Sequence, residues 1–317
     1  MQSAKTVIPM ETMTLESPAD GLPLAVAWMV PDETPKGIVQ LSHGMAEHKE
    51  RYEEFMTFLA RHGYVAVIHD HRGHGASVRY PEDVGYFYTE DIQVIVEDLY
   101  AVSEMIRARY PGLPLSLFAH SMGTLVARNY LKIHDGALDR LILCGPPTRN
   151  PAVGMAIRMT RQSIKRKGAR YRNLKLNAMA FGGANRRFGG NGNWLSSDPK
   201  TVEAYHKDPL CGYVFTNNGF LNLFQLLQEA YRTGGWEVTK PDLPIFLIAG
   251  EEDPVIQSKR KFRALKNFLR RRGYRQVSAR LYGKQRHELL QETRREQVFR
   301  DVLRFLEDPA RRKRSHK

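Results

Sequence analysis

Short apolar runs alternate along this chain with longer stretches in which apolar residues recur every three to four positions, the mixed signature of buried strands and amphipathic helices. Residues 12–16 and 24–30 read as β-rich, and Ala19-Asp20-Gly21 between them supplies hairpin-type turn residues. Residues 37–41, 64–68, 115–118, 141–144 and 244–248 are short apolar runs, as expected of parallel strands covered on both faces, and a further strand is read over 277–282. Helices are predicted over 52–62, 91–110, 122–133, 258–272 and 294–306; in the second of these Ile92, Ile95, Val96, Leu99, Val102 and Ile106 share one side. This alternation predicts an α/β protein, a mostly parallel central sheet flanked by helices. Residues 146–240 break the rhythm. They show no clean strand pattern, so we expect an inserted, mainly helical cap between two parts of one core, residues 1–145 and 241–308, with a basic tail over 309–317.

Composition narrows the function classes. A chain of 317 residues with 42% hydrophobic and 26% charged residues is neither disordered nor fibrous. Mean hydropathy is -0.46, and no uncharged apolar run approaches the roughly 18 residues of a membrane span. Residues 1–9 lack the apolar centre of a secretory signal, and Cys144 and Cys211 are too few for a disulfide scaffold, so a reducing cytoplasm is expected. The net charge of +14 raises a nucleic-acid reading, but the charge is local. Residues 148–193 hold 11 basic residues and no acid, residues 258–275 hold 9, and the tail holds 5. Those 25 leave 23 basic residues against 34 acids in the rest of the chain. In the tail a solvated end is favoured over contact with nucleic acid or membrane.

Candidate chemistry begins at Ala119-His120-Ser121-Met122-Gly123, where a strand gives way to a helix. A serine on such a turn projects its hydroxyl clear of the backbone, although serine is also an ordinary helix cap. Chain order sharpens the signal. An acid-bearing loop, Gly250-Glu251-Glu252-Asp253, follows one later strand, and His287 follows the last. The residue types of a nucleophile, an orienting acid and a general base thus occur in the order required by one class of hydrolase, with Glu251 and Glu252 competing with Asp253 for the acid. His43, His48, His69, His71 and His74 crowd one region without the spacing of a zinc motif, so a structural role is preferred to a metal site. The glycine-rich residues 181–193 lack the ending of a phosphate loop and are expected to be a flexible cap loop.

The segments His43-Gly44-Met45-Ala46-Glu47-His48 and Asp70-His71-Arg72-Gly73-His74-Gly75-Ala76-Ser77, together with the Ser121, Asp253 and His287 segments and Asp208-Pro209-Leu210, resemble the monoglyceride lipase and lysophospholipase family of α/β-hydrolases, grouped with the serine aminopeptidase-like hydrolases. Position 119 is Ala where the usual pattern has Gly. The resemblance implies the α/β-hydrolase fold and a Ser121–His287–Asp253 triad. It implies an oxyanion hole formed by the backbone N–H groups of Met45 and Met122, and cofactor-free cleavage of an amphiphilic ester such as a monoacylglycerol or lysophospholipid. An amidase acting through the same residues, and a non-catalytic basic binding protein on the same scaffold, are the alternatives. Over 152–164, Val153, Ala156, Ile157 and Ile164 fall near one helical face with Met155 and Met159 alongside, among Arg158, Arg161, Lys165 and Arg166. A lid helix over the substrate is preferred, and contact with an anionic membrane is compatible with it. Phe220, Leu221, Leu223, Phe224, Leu226 and Leu227 suit an acyl chain or plain cap core equally well.

Overall fold

In the computed structural model, which describes residues 8–190 and 192–308, the sheet has eight strands. In chain order they are β1 (Glu11–Glu16), β2 (Pro23–Met29), β3 (Gly37–Ser42), β4 (Tyr64–His69), β5 (Leu115–His120), β6 (Arg140–Cys144), β7 (Ile245–Gly250) and β8 (Val277–Tyr282). Their spatial order is β1-β2-β4-β3-β5-β6-β7-β8. β1–β2 and β2–β4 are antiparallel; every other pairing is parallel. The basic tail predicted over 309–317 lies outside the described residues.

Side-chain alternation divides the core between the two faces of the sheet. On β5, Leu117 and Ala119 join a cluster with Val96, Leu99, Leu125 and Leu265, whereas Phe118 joins one with Phe55, Leu59, Val298 and Phe299. The first cluster is covered by α2 (Ile92–Arg109), α3 (Met122–His134) and α8 (Lys259–Arg271); the second by α1 (Glu53–Arg61) and α9 (Arg295–Glu307). α2 buries the stripe that its periodicity announces, and the Asp91 carboxylate caps its start by accepting from the Gln93 N–H at 2.9 Å.

Between β6 and β7 the chain leaves the sheet and forms α4 (Val153–Lys167), α5 (Leu174–Arg187), α6 (Pro199–Lys207) and α7 (Asn217–Glu229). α4 packs on α7 through Ala156, Ile157 and Thr160. The flexible loop expected over 181–193 is only partly observed, because α5 runs through Gly182 and Gly183 to Arg187. Each helical glycine costs about 1 kcal/mol relative to alanine. Here Asn173 caps the helix onto the Leu176 N–H at 3.0 Å, Leu176 is buried, and Phe181 stacks on Trp194 at 5.8 Å, which together offset that cost. The glycines that do turn the chain, Gly189, Gly190 and Gly192, come after the helix.

Candidate active site

Ser121 is the hinge between β5 and α3. Its backbone sits at φ 49°, ψ -117°, a sparsely populated conformation for a residue with a Cβ, and its N–H donates to the Cys144 carbonyl at 2.9 Å. The turn can be this sharp because Gly123 lets α3 pass close to β3: a Cβ at that position would overlap the Ser42 and His43 carbonyls. The side chain does not cap α3. Its Oγ faces His287 Nε2 at 2.8 Å, while His287 Nδ1 faces Asp253 Oδ2 at 3.0 Å. Of the three competing acids, Asp253 is the one buried against the imidazole; Glu251 pairs with Lys259 and Glu252 lies near Arg286. Asp253 also accepts from the Val255 N–H at 2.8 Å through Oδ1, which leaves Oδ2 for the histidine.

His287 is 2% exposed. Burial alone would depress its pKa, but the facing Asp253 carboxylate outweighs that, and the imidazole lies above its ordinary value. His120 packs against it at 4.7 Å. Burial, with the His287 charge adding to it, holds His120 down at about 4, so it is a neutral neighbour.

Met122 is the first residue of α3, where N–H groups have no intrahelical partner. Met45 lies in the turn after β3, and both border the cavity next to Ser121. That turn is held from beneath by histidines. His43 Nδ1 lies 2.8 Å from the Gly44 carbonyl, His43 Nε2 accepts from the His71 N–H at 2.9 Å, and His71 Nε2 meets Ser42 Oγ at 2.8 Å. His43, His69, His71 and His74 are all fully buried, and burial drops three of them to about 3 and His71 well below its ordinary value. These four neutral rings pack edge to face beneath the turn. His48 stands apart from them, paired with Asp208 of the cap.

An ion network that the sequence reading did not assign ties the site loops together. Glu47 accepts from the Gly44 N–H at 2.5 Å and from Arg51 at 2.6 Å, and Arg51 forks onto both oxygens of Glu288, the residue after His287, at 2.8 Å each. Burial works against the Glu47 charge, but Arg51 prevails and holds its carboxyl below the usual range. The available signal was the i,i+4 spacing of Glu47 and Arg51; the Glu288 contact had none. The cap clamps the histidine loop from the other side: Glu288 N–H donates to the Leu195 carbonyl at 2.7 Å, and Arg286 donates to the Asn193 and Ser196 carbonyls at 2.6 and 3.0 Å.

Above Ser121 lies a cavity of about 600 Å³, within the range of small-molecule sites. Met45, Met122, Leu125, Phe181, Trp194, Leu223, Phe224, Leu227 and Val255 line it. The two sequence readings of α7 therefore divide: Phe220, Leu221 and Leu226 are cap core, whereas Leu223, Phe224 and Leu227 face the cavity. A concavity of similar size, about 660 Å³, lies beside β8 and α9, lined by Arg280, Arg294, Arg300 and Arg304 with Glu296 and Asp301. Its lining side chains are all polar or charged, which suits a hydrocarbon poorly.

The family described as serine aminopeptidase, S33, matches residues 33–294. The human monoglyceride lipase is 29% identical over 243 residues, covering 76% of this chain and 73% of that protein. The monoacylglycerol lipase of Mycolicibacterium smegmatis is 25% identical over 231 residues, covering 71% and 73%. Among solved structures, a thermostable carboxyl esterase from Bacillus coagulans, in complex with glycerol, superposes with a TM-score of 0.86 at 26% identity, covering 95% of this chain and 98% of that one.

Proposed function

Starting from a chain that belongs to the serine aminopeptidase S33 family and is a carboxylic ester hydrolase of the monoglyceride lipase type, we propose that it cleaves monoacylglycerols through Ser121, His287 and Asp253 by way of an acyl-enzyme. The observation that carries this reading is the line of hydrogen-bonded groups Ser121 Oγ, His287 and Asp253, opening onto a cavity lined largely by apolar side chains. In the proposed cycle His287 Nε2 takes the Ser121 proton as Oγ attacks the ester carbonyl. Asp253 holds the tautomer and stabilises the imidazolium. The N–H groups of Met45 and Met122 receive the oxyanion; one such donor is worth about 2.7–4 kcal/mol in the transition state. His287 then protonates the departing glycerol oxygen, and water, activated by the same imidazole, releases the fatty acid. The acyl chain lies along Leu223, Phe224 and Leu227, and no cofactor enters any step.

The test is a substrate panel with labelling by a fluorophosphonate probe. Monoacylglycerols are expected to turn over fastest, lysophospholipids more slowly, and aminoacyl arylamides least. Preference for the arylamide would replace the lipase reading with an amidase one.

The pH dependence follows from His287. A general base works only unprotonated, and its pKa lies above the ordinary value of about 6.5. The acid limb of kcat/KM is therefore expected above about 6.5, with activity falling tenfold per pH unit below it. In Asp253→Asn, burial is opposed only by the Glu288 and Glu47 carboxylates: the limb moves to lower pH, and the plateau falls by about 10⁴. A limb that stays in place in Asp253→Asn contradicts the assignment.

The proposed site also needs a route for its amphiphilic substrate. α4 buries Ala156, Ile157 and Thr160 but leaves Met155 67% and Met159 45% exposed, and Leu174 and Met179 of α5 are exposed nearby in sequence. Arg158, Arg161, Lys165 and Arg166 share the α4 segment and are all exposed. Apolar tips among cations support contact with an anionic lipid surface. Co-sedimentation with vesicles containing anionic lipid is expected, weaker with zwitterionic vesicles and at high salt. Met155→Asp combined with Met159→Asp should reduce it while leaving hydrolysis of a short soluble ester unchanged. Equal binding to both vesicle types would remove this part of the reading.

A further inference from the structure

His48, Asp208 and Cys211 place one nitrogen, one carboxylate oxygen and one sulfur within 4.8 Å of one another. We propose that these three residues form a binding site for a soft or borderline divalent cation of the zinc class, joining the turn after β3 to the cap segment after α6. The donor set is mixed N, O and S, which suits zinc and cadmium and poorly suits magnesium or calcium. Bond lengths of about 2.0–2.3 Å in a tetrahedron require donors roughly 3.3–3.8 Å apart. Rotations of short side chains by about an ångström bring this set there, with solvent in the fourth position.

Three further features favour a ligand at this point. His48 Nδ1 meets Glu50 Oε2 at 2.6 Å, so Nε2 is the nitrogen aimed at Asp208, 2.8 Å away. A carboxylate behind a ligating histidine is the usual support for a bound cation. Asp208 Oδ1 is occupied by the Leu210 N–H at 2.9 Å, and the Cys211 N–H donates to the Asp208 carbonyl at 3.0 Å. This turn holds the acid and the thiol on one side of the loop and leaves Oδ2 for the cation. Asp208 is partly exposed while His48 and Cys211 are buried, so the site has an entrance and a closed interior.

The surrounding charge permits it. Lys49 is engaged by Asp70 and Glu50, and Arg51 by Glu47 and Glu288, so acids outnumber bases around the site. Binding displaces the Cys211 proton to solvent and replaces the His48–Asp208 hydrogen bond with two metal–ligand bonds. Among the histidines, His48 alone has this role; the buried four remain structural. The consequence is mechanical. Gly212 N–H and Tyr205 Oη–H both donate to the Ala46 carbonyl, at 2.9 and 3.0 Å, and a cation at His48 would fix this cap segment on the turn that carries Met45.

The test is a cadmium titration of the whole chain, followed by thiolate-to-metal charge-transfer absorption in the ultraviolet. One cadmium per chain is expected, the band being lost in Cys211→Ser, kept in Cys144→Ala, and displaced by zinc. Glu50→Gln, which retains all three ligands, should weaken binding by about 10–100-fold, and His48→Ala or Asp208→Asn by at least as much. Zinc should raise the melting temperature of the native chain and not that of Cys211→Ser. Should His48→Ala fail to fold, Glu50→Gln and Cys211→Ser carry the comparison. No charge-transfer band, or a band that survives Cys211→Ser, overturns the proposal.

Discussion

Replacing Ser121 with alanine is expected to lower kcat by about 10⁶ and to abolish fluorophosphonate labelling, while the fold survives. The size follows from the way such groups act as a unit: with the nucleophile gone, His287 and Asp253 have nothing to activate, and only the oxyanion donors and substrate binding remain, worth roughly 10³–10⁴ over water. The fold survives because the Ser121 side chain caps nothing; its Oγ contact is to His287. A companion variant separates chemistry from strain. The Ser121 backbone is held at φ 49°, and holding a residue with a Cβ in such a conformation costs roughly 1–3 kcal/mol. Ser121→Gly should be equally inactive yet more stable than Ser121→Ala by about 1 kcal/mol. Denaturant midpoints and single-turnover assays on the same preparations check both statements. Residual labelling of Ser121→Ala would place the nucleophile elsewhere.

Arg51→Ala should be the most damaging change outside the proposed triad. The guanidinium lies between two buried carboxylates, Glu47 and Glu288, and its side chain is only 11% exposed. Removing it leaves both charges without their partner in a poorly solvated pocket, and breaking a buried pair from one side costs about 3–5 kcal/mol. Activity should fall further than stability alone explains, because Glu47 holds the Gly44 N–H and Glu288 is next to His287. We expect a lower urea midpoint together with a fall in kcat at nearly constant KM. Arg51→Met combined with Glu288→Gln should recover part of the stability, since it leaves one carboxylate, Glu47, without its partner instead of two, but not kcat. Full recovery of both would reduce the network to a structural role.

Much of the architecture was legible before any coordinates. The run at residues 277–282 is strand β8 to the residue, and the helix predicted over 91–110 is α2 with one residue trimmed from each end. Apolar periodicity reads well in such segments because each packs one stripe, or two faces, against a single large core. The helix α5 was missed because Gly182 and Gly183 argue locally for a turn, while the packing that overrides them, Leu176 into the core and Phe181 on Trp194, is tertiary. The division of the α7 stripe into core and cavity lining was hidden for the same reason. One helical periodicity produces both, and only the placement of β5 and α3 decides which turn faces the cavity.

The sequence by itself determined the alternation of strands and helices and the order serine, acid, histidine. These follow from short-range preferences, which turn residues and side-chain spacing express directly. The tertiary structure alone decided that Glu288 closes an ion pair with Arg51 and that Cys211 arrives beside His48. Each of those is a meeting of loops far apart in the chain, and nothing in local spacing encodes how a parallel sheet brings the ends of its strands together.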